Sequence, residues 1–371
     1  MGRACVTAPV TVDVVIPTIR LDPVFLRGLL HLPIPPGVRL RYFVVVDQAA
    51  ARIPGELRSL LRRDCVTLLV NETSRGAAES RNRGFAAGNG EFVLFLDDDV
   101  VPASSLLSEY LSAIAADVAG SPGYVGVTRF PPPINGFTRG VLASDVLTFF
   151  DLAAKRPWME WGVTANLCVR RSYVVGVPFD PSFPRGGGGE DIDFCLRMRD
   201  LAGRPFRAVP SAEVRHPWWN EGTRSYSRFF RWAYGDSRLP RLHPRHRYLN
   251  FPTLPELWFL LLVAMPVLGW RGMAPEAGLF LVGSAAAEFF VDYAKLCVRN
   301  PGTSLLSSIE ATVVRLSNDL GRLVSHAKHM RITGLLERFD YFGTGESIAY
   351  ERTVSGAKFL CWAVLACVVF A

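Results

Sequence analysis

Three consecutive aspartates, Asp97, Asp98 and Asp99, follow directly on five apolar residues, Phe92 to Leu96, within the run GEFVLFLDDDVVP. So short an apolar run, bounded by Gly90 and Pro102, predicts a strand buried on both faces of a sheet. Three carboxylates where such a strand surfaces repel one another, so they require a cation, either a metal ion or a basic side chain. Ligands of open α/β sheets bind beyond the carboxyl ends of strands. The chemistry that follows is a metal–diphosphate site; the competing reading is an acidic polar loop.

Other carboxylates stand at similar places. Asp47 ends the apolar run Tyr42–Val46, where a carboxylate can hold the polar edge of a nucleotide or simply cap a turn. Between the two acidic positions lies NETSRGAAESRN, from Asn71 to Asn82. In it Arg75, Gly76, Arg81 and Asn82 offer cations, a permissive backbone and a helix start, all suited to a diphosphate. Neither GxxxxGK[ST] nor GxGxxG is present at the corresponding places. Further on, four glycines, Gly186–Gly189, precede Glu190 and Asp191 at the start of an amphipathic helical pattern. Side-chain-free backbone allows close approach to a ligand. A carboxylate at a helix N-terminus stays ionised and can serve as a general base, or act as a plain capping pair. His216 closes the stretch Phe206–Trp219 and offers a neutral imidazole as a metal ligand.

These positions need a scaffold. Val12–Pro17, Tyr42–Val46, Val66–Val70 and Phe92–Leu96 read as strands. Leu21–Leu32, Leu57–Leu61 and Ser80–Ala87 read as the helical segments between them. Strands that begin roughly every 25–30 residues with helices between them predict βαβ units and a mostly parallel sheet. The 371 residues suffice for one large domain or two ordinary ones. A balance of 41 basic to 34 acidic residues gives +7, which by itself selects no class of partner. Basic residues without interleaved stacking aromatics on a sheet argue against nucleic acid. The seven cysteines form no CxxC pair and read as reduced residues. The N-terminus lacks the long apolar stretch of a signal peptide, and Met1-Gly2 is a weak match to an acylation pattern.

Taken in order, VVIPT, VVVDQ, the triple-aspartate run, GVTANLCVRRS, FPRGGGGEDIDFCLRM and PSAEVRHP resemble the family 2 glycosyltransferases with the Rossmann-like A-type nucleotide-sugar-binding fold. The resemblance covers roughly Val12 to Trp219. It implies donor contacts at Pro17, Asp47, Arg75, Gly76, Asn82, Asp97 and Asp98, with Asp47 on the base and Asp97 or Asp98 on the ribose. It implies Mn²⁺ or Mg²⁺ on Asp99 and His216, and Asp191 as catalytic base. Trp161, Asn166 and Glu190 are implied on the acceptor side. One departure is Gln48, which stands after Asp47 where acidic and small residues are common. The implied reaction is an inverting transfer from a nucleotide-sugar, first among them a UDP-sugar, to a hydroxyl of a glycan or lipid-linked acceptor. The alternative is a non-catalytic nucleotide-sugar-binding membrane scaffold.

Composition changes near Arg238. A basic run, Arg238–Arg247, precedes apolar segments at about 257–270 and 277–291, which read as two full spans, a re-entrant or tightly paired hairpin, or a soluble helical hairpin. An amphipathic helix follows at about 304–330, and a charge-free segment at 359–371 reads as a tail anchor. The expected division is a catalytic domain over 1–237 and a helical, membrane-associated region over 238–371. By the basic run, the catalytic domain faces the cytoplasm.

Overall fold

The computed structural model describes residues 9–371, so Cys5 and the Met1-Gly2 pattern lie outside the described residues. The chain divides into two compact units. One comprises Met1–Pro131 and Thr148–Trp218; the other comprises Pro132–Leu147 and Trp219–Ala371. The division after Trp218 precedes the expected one after Ser237, and the short excursion Pro132–Leu147 was not anticipated.

The first unit is built on a nine-stranded sheet: β1 (Val10–Thr18), β2 (Val38–Val46), β3 (Val66–Val70), β4 (Phe92–Leu96), β5 (Val101–Pro102), β6 (Gly123–Arg129), β7 (Trp158–Met159), β8 (Asn166–Arg170) and β9 (Phe206–Arg215). Its order is β3-β2-β1-β4-β8-β6-β9-β5, with β7 paired to β9. The run from β3 to β4 is parallel, as the strand–helix alternation predicts. Beyond β4 the sheet turns mixed, because β8 runs antiparallel to both β4 and β6. The expectation of a mostly parallel sheet therefore holds for one half only. All five residues of β4 are buried, since strands flank it on both edges and both its faces are covered.

The start of β4 is pinned by one buried carboxylate. Asp13, in β1 and 0% exposed, accepts from the Gly90 backbone N–H at 2.6 Å, from Arg41 at 2.8 Å and from Arg171 at 2.7 Å. Gly88 and Gly90 have no side chain because a Cβ at either would lie within 3 Å of the Asp13 carboxyl group. Asp13→Ala leaves a largely enclosed Arg171 and a buried N–H without their partner. The expected cost is about 3–5 kcal/mol, read as a lowered denaturant midpoint for the first unit.

The second unit is helical. Its long helices are Leu254–Trp270, Ala274–Arg299, Leu305–Lys328 and Glu346–Val369, with a two-stranded ribbon of β10 (Arg247–Leu249) and β11 (Glu337–Phe339). The shorter helix Gly136–Ala143 packs on Leu305–Lys328. Gly140 permits the approach, because a Cβ there would lie 2.3 Å from Glu310 Cβ and 2.9 Å from the Ala311 nitrogen. Ala274–Arg299 and Glu346–Val369 are long and apolar enough to cross a membrane by length and composition. Both run well past the apolar segments read from sequence. Glu288 and Asp292 do not end the first helix because Lys358 pairs with both, and Arg315 meets Asp292 at 2.7 Å. Among the described residues every cysteine is free; Cys168 and Cys195 are buried, whereas Cys361 and Cys367 are exposed.

Candidate active site

The triple aspartate emerges where β4 ends, and its members face different partners. Asp98 is buried and turns toward β1, where it accepts from Thr18 Oγ1 at 2.6 Å and pairs with Arg20. Burial pushes its carboxyl above the ordinary range, although Arg20 and Thr18 pull the other way. Asp97 and Asp99 converge instead with His216, from the residue after β9, and ligand atoms of all three lie within 4.8 Å of one another.

His216 Nδ1 lies 2.6 Å from the Pro217 carbonyl, which can only accept, so Nδ1 carries the hydrogen. Nε2 then faces Asp99 Oδ1 at 3.3 Å, so an imidazole nitrogen and a carboxylate oxygen stand side by side. Phe130 stacks on the imidazole at 5.1 Å and fixes its plane. Two carboxylate oxygens and an imidazole nitrogen fit Mn²⁺ or Mg²⁺, and the imidazole favours Mn²⁺.

Two arginines complete the charge balance. Arg20, just past β1, reaches Asp99 at 2.9 Å as well as Asp98. Arg81, 4% exposed, donates to Asp97 at 3.1 Å and to Glu190 at 3.3 Å. It thereby ties the triple aspartate to the glycine loop. Glu190 in turn accepts from the Gly188 backbone at 2.9 Å. The loop needs glycine: Gly187, Gly188 and Gly189 have φ of +88°, +118° and +87°. It delivers Asp191 half-buried into the first turn of helix Glu190–Ala202, where it also caps the Ile192 N–H at 2.9 Å.

The remaining positions occupy structural places. Asp47 is held by the loop after β3, accepting from Asn71, Ser74 and the Arg75 and Gly76 backbones at 2.7–2.9 Å. Burial alone would raise its carboxyl, but these donors hold it below the ordinary range. A base contact at Asp47 would compete with these four hydrogen bonds. Pro17 lies half-buried near the end of β1, opposite Val45 of β2. Gly76 has φ +90°, with Arg185 passing so close that a Cβ would sit 3.0 Å from its Cα. Asn82 holds Phe179 through both its N–H and its carbonyl, each at 2.8 Å. Arg75 is exposed and lies 3.7 Å from Glu79.

On the expected acceptor side, Trp161 is buried beside Phe149. Asn166 is fully enclosed. Its amide donates to Val127 and Ala212 carbonyls and accepts from Tyr110, so it ties strands together and presents nothing to an acceptor. Glu190 is likewise turned to Arg81 and Gly188. Arg20 was not singled out from the sequence; a cation just past the strand paired with β4 was the available signal.

The mixed sheet, with its carboxylate–imidazole cluster beyond the central strand, is of the Rossmann-like A type. Residues 24–138 match the model of glycosyl transferase family 2. A pre-mycofactocin glycosyltransferase of Mycobacterium tuberculosis is 30% identical over 183 residues, which are 48% of this chain and 37% of that relative. An uncharacterized glycosyltransferase of Haemophilus influenzae is 59% identical over 34 residues, 9% of this chain and 12% of that relative. The chain therefore spans well under half the length of these curated relatives. Among solved structures, the mannosyltransferase PcManGT from Pyrobaculum calidifontis, in complex with GDP-Man and Mn²⁺, has a TM-score of 0.52 at 17% identity and 87% coverage of both chains. That likeness bears on the fold.

Proposed function

We propose that this chain is a metal-dependent, inverting glycosyltransferase acting from a nucleotide-sugar onto a hydroxyl of a glycan or lipid-linked acceptor. The observation that carries the reading is the convergence of Asp97, Asp99 and His216, joined through Arg81 to the loop that presents Asp191. Asp99 and His216, with Asp97 beside them, would hold Mn²⁺ or Mg²⁺. When bound, the metal supplies charge stabilisation for the departing nucleoside diphosphate. Asp191 takes the proton of the acceptor hydroxyl as its oxygen bonds to the anomeric carbon. The bond from that carbon to the diphosphate oxygen breaks, and its electron pair leaves with the nucleotide. Attack opposite the leaving group inverts the centre, so an α-linked donor yields a β-linked product.

Membrane association with the catalytic unit on the cytoplasmic side belongs to the same reading, supported by the two long apolar helices and the basic run before them. A screen of UDP- and GDP-sugars, reading nucleoside diphosphate release with and without Mn²⁺, tests the activity. Metal-stimulated release with one donor is expected. Donor binding without turnover for any donor and acceptor would favour the binding scaffold.

A further inference from the structure

The second unit carries side-chain layers that define a depth axis. Helix Glu346–Val369 runs antiparallel to Ala274–Arg299: Lys295 and Arg299 lie over Tyr350, Lys358 meets Glu288 and Asp292, Trp362 donates to the Ser284 carbonyl, and Phe370 packs on Phe280. Helix Leu254–Trp270 joins at the same level through Trp258 and Ser284, 3.0 Å apart. Leu254, Phe280 and Trp362 form the buried centre. Outward from it, Val263, Val267, Leu279, Val282, Val364 and Val368 are each more than half exposed.

At one end of this apolar body sits the ribbon β10–β11. Arg247 and Arg331 share Glu337, and Arg352 holds the Leu249 carbonyl and lies over Tyr248 beside Glu351. Arg245 and Lys328 are exposed nearby in the chain, and Leu249 and Ile332 are 58% and 82% exposed. Cations exceed carboxylates here, and bare apolar side chains lie among them. The opposite end is the turn after Trp270, which is 85% exposed and followed by exposed Arg271. Arg352 to Val369, and Thr253 to Trp270, each correspond to about 26 Å of helix, and Ala274 to Lys295 to about 32 Å. The hydrocarbon core of a bilayer is about 30 Å thick.

The geometry points to a three-helix body seated across an anionic phospholipid bilayer, with the ribbon and its arginines forming a headgroup-level collar and Trp270–Arg271 marking the far interface. Basic and aromatic side chains settle at those levels. Glu288, Asp292, Lys358 and Arg315 then lie at bilayer depth, tolerated because they pair with one another inside the protein. This rests on the membrane association proposed above, but its test reads lipid contact and not sugar transfer, so the two can fail separately.

Purified full-length protein, delivered from dilute detergent, is floated with vesicles of phosphatidylcholine alone or mixed with phosphatidylglycerol. Binding about tenfold stronger to the anionic vesicles is expected, and the double substitution Arg245→Glu/Lys328→Glu should erase that preference while leaving binding to neutral vesicles. In the vesicle-bound protein a water-soluble maleimide should modify Arg271→Cys and spare the native Cys361 and Cys367, as resolved by peptide mapping. Equal binding to both vesicle types overturns the collar. Modification of Cys361 and Cys367 as fast as Arg271→Cys overturns the seating. A stable dimer free of lipid and detergent would assign the apolar faces to a second copy.

Discussion

Replacing Asp191 with asparagine is expected to lower turnover by about 10²–10⁴-fold while donor affinity stays nearly unchanged. Asparagine keeps the shape and the hydrogen bond to the Ile192 N–H but cannot take up the acceptor proton. The loop before it is unaltered, since its course depends on Gly187–Gly189 and on Glu190 bridging Gly188 and Arg81. Single-turnover rates beside calorimetric donor titration separate the two quantities. A variant that turns over at the wild-type rate removes Asp191 from the role of base. Glu190→Gln should behave differently: it weakens the tie to Arg81 and so should disturb donor binding and turnover together.

The second large effect belongs to Asp99. Asp99→Ala deletes the carboxylate that faces both His216 Nε2 and Arg20. A bound metal supplies several kcal/mol of charge stabilisation, so kcat/KM should fall by about 10³-fold or more. The enhancement of donor binding by Mn²⁺ should vanish with it. Asp98→Ala offers the contrast, because Asp98 turns to Thr18 and Arg20. Its loss should lower thermal stability more than it alters the metal response. Donor titrations at matched Mn²⁺ decide the matter: a metal dependence that survives in Asp99→Ala sinks the assignment.

The strands that carry the site were legible because their signal is local. Val66–Val70 and Phe92–Leu96 coincide with β3 and β4, and the helix before β4 begins within a turn of its expected start. The mixed half was not legible. Where β8 inserts between β4 and β6 is a matter of strand order, which apolar spacing does not encode. Side-chain roles divided in the same way. Asp99 and His216 were paired only through the resemblance to a known family, since strand placement alone does not join them. Asn166 looks polar in sequence but satisfies carbonyls inside the sheet. Arg81 had been one cation among several on a helix face, and only the packing shows it joining Asp97 to Glu190. In the helical unit, Glu288 stood inside the segment read as apolar and Asp292 just past it, and their partner Lys358 lies far along the chain.

The excursion Pro132–Leu147 has a consequence for biosynthesis. Helix Gly136–Ala143 packs on Leu305–Lys328, a surface that leaves the ribosome more than a hundred residues later. At 5–20 residues per second, it waits roughly ten to thirty seconds for its partner. Through that interval Phe137 and Val141, both buried in the finished protein, remain open to holdases or to neighbouring nascent chains. The first unit can complete its sheet in the meantime, but only with this helix held outside as an unfinished loop. Truncation after Trp218 would make that state permanent, so the yield of such a fragment would be governed by chaperone supply more than by the stability of its sheet.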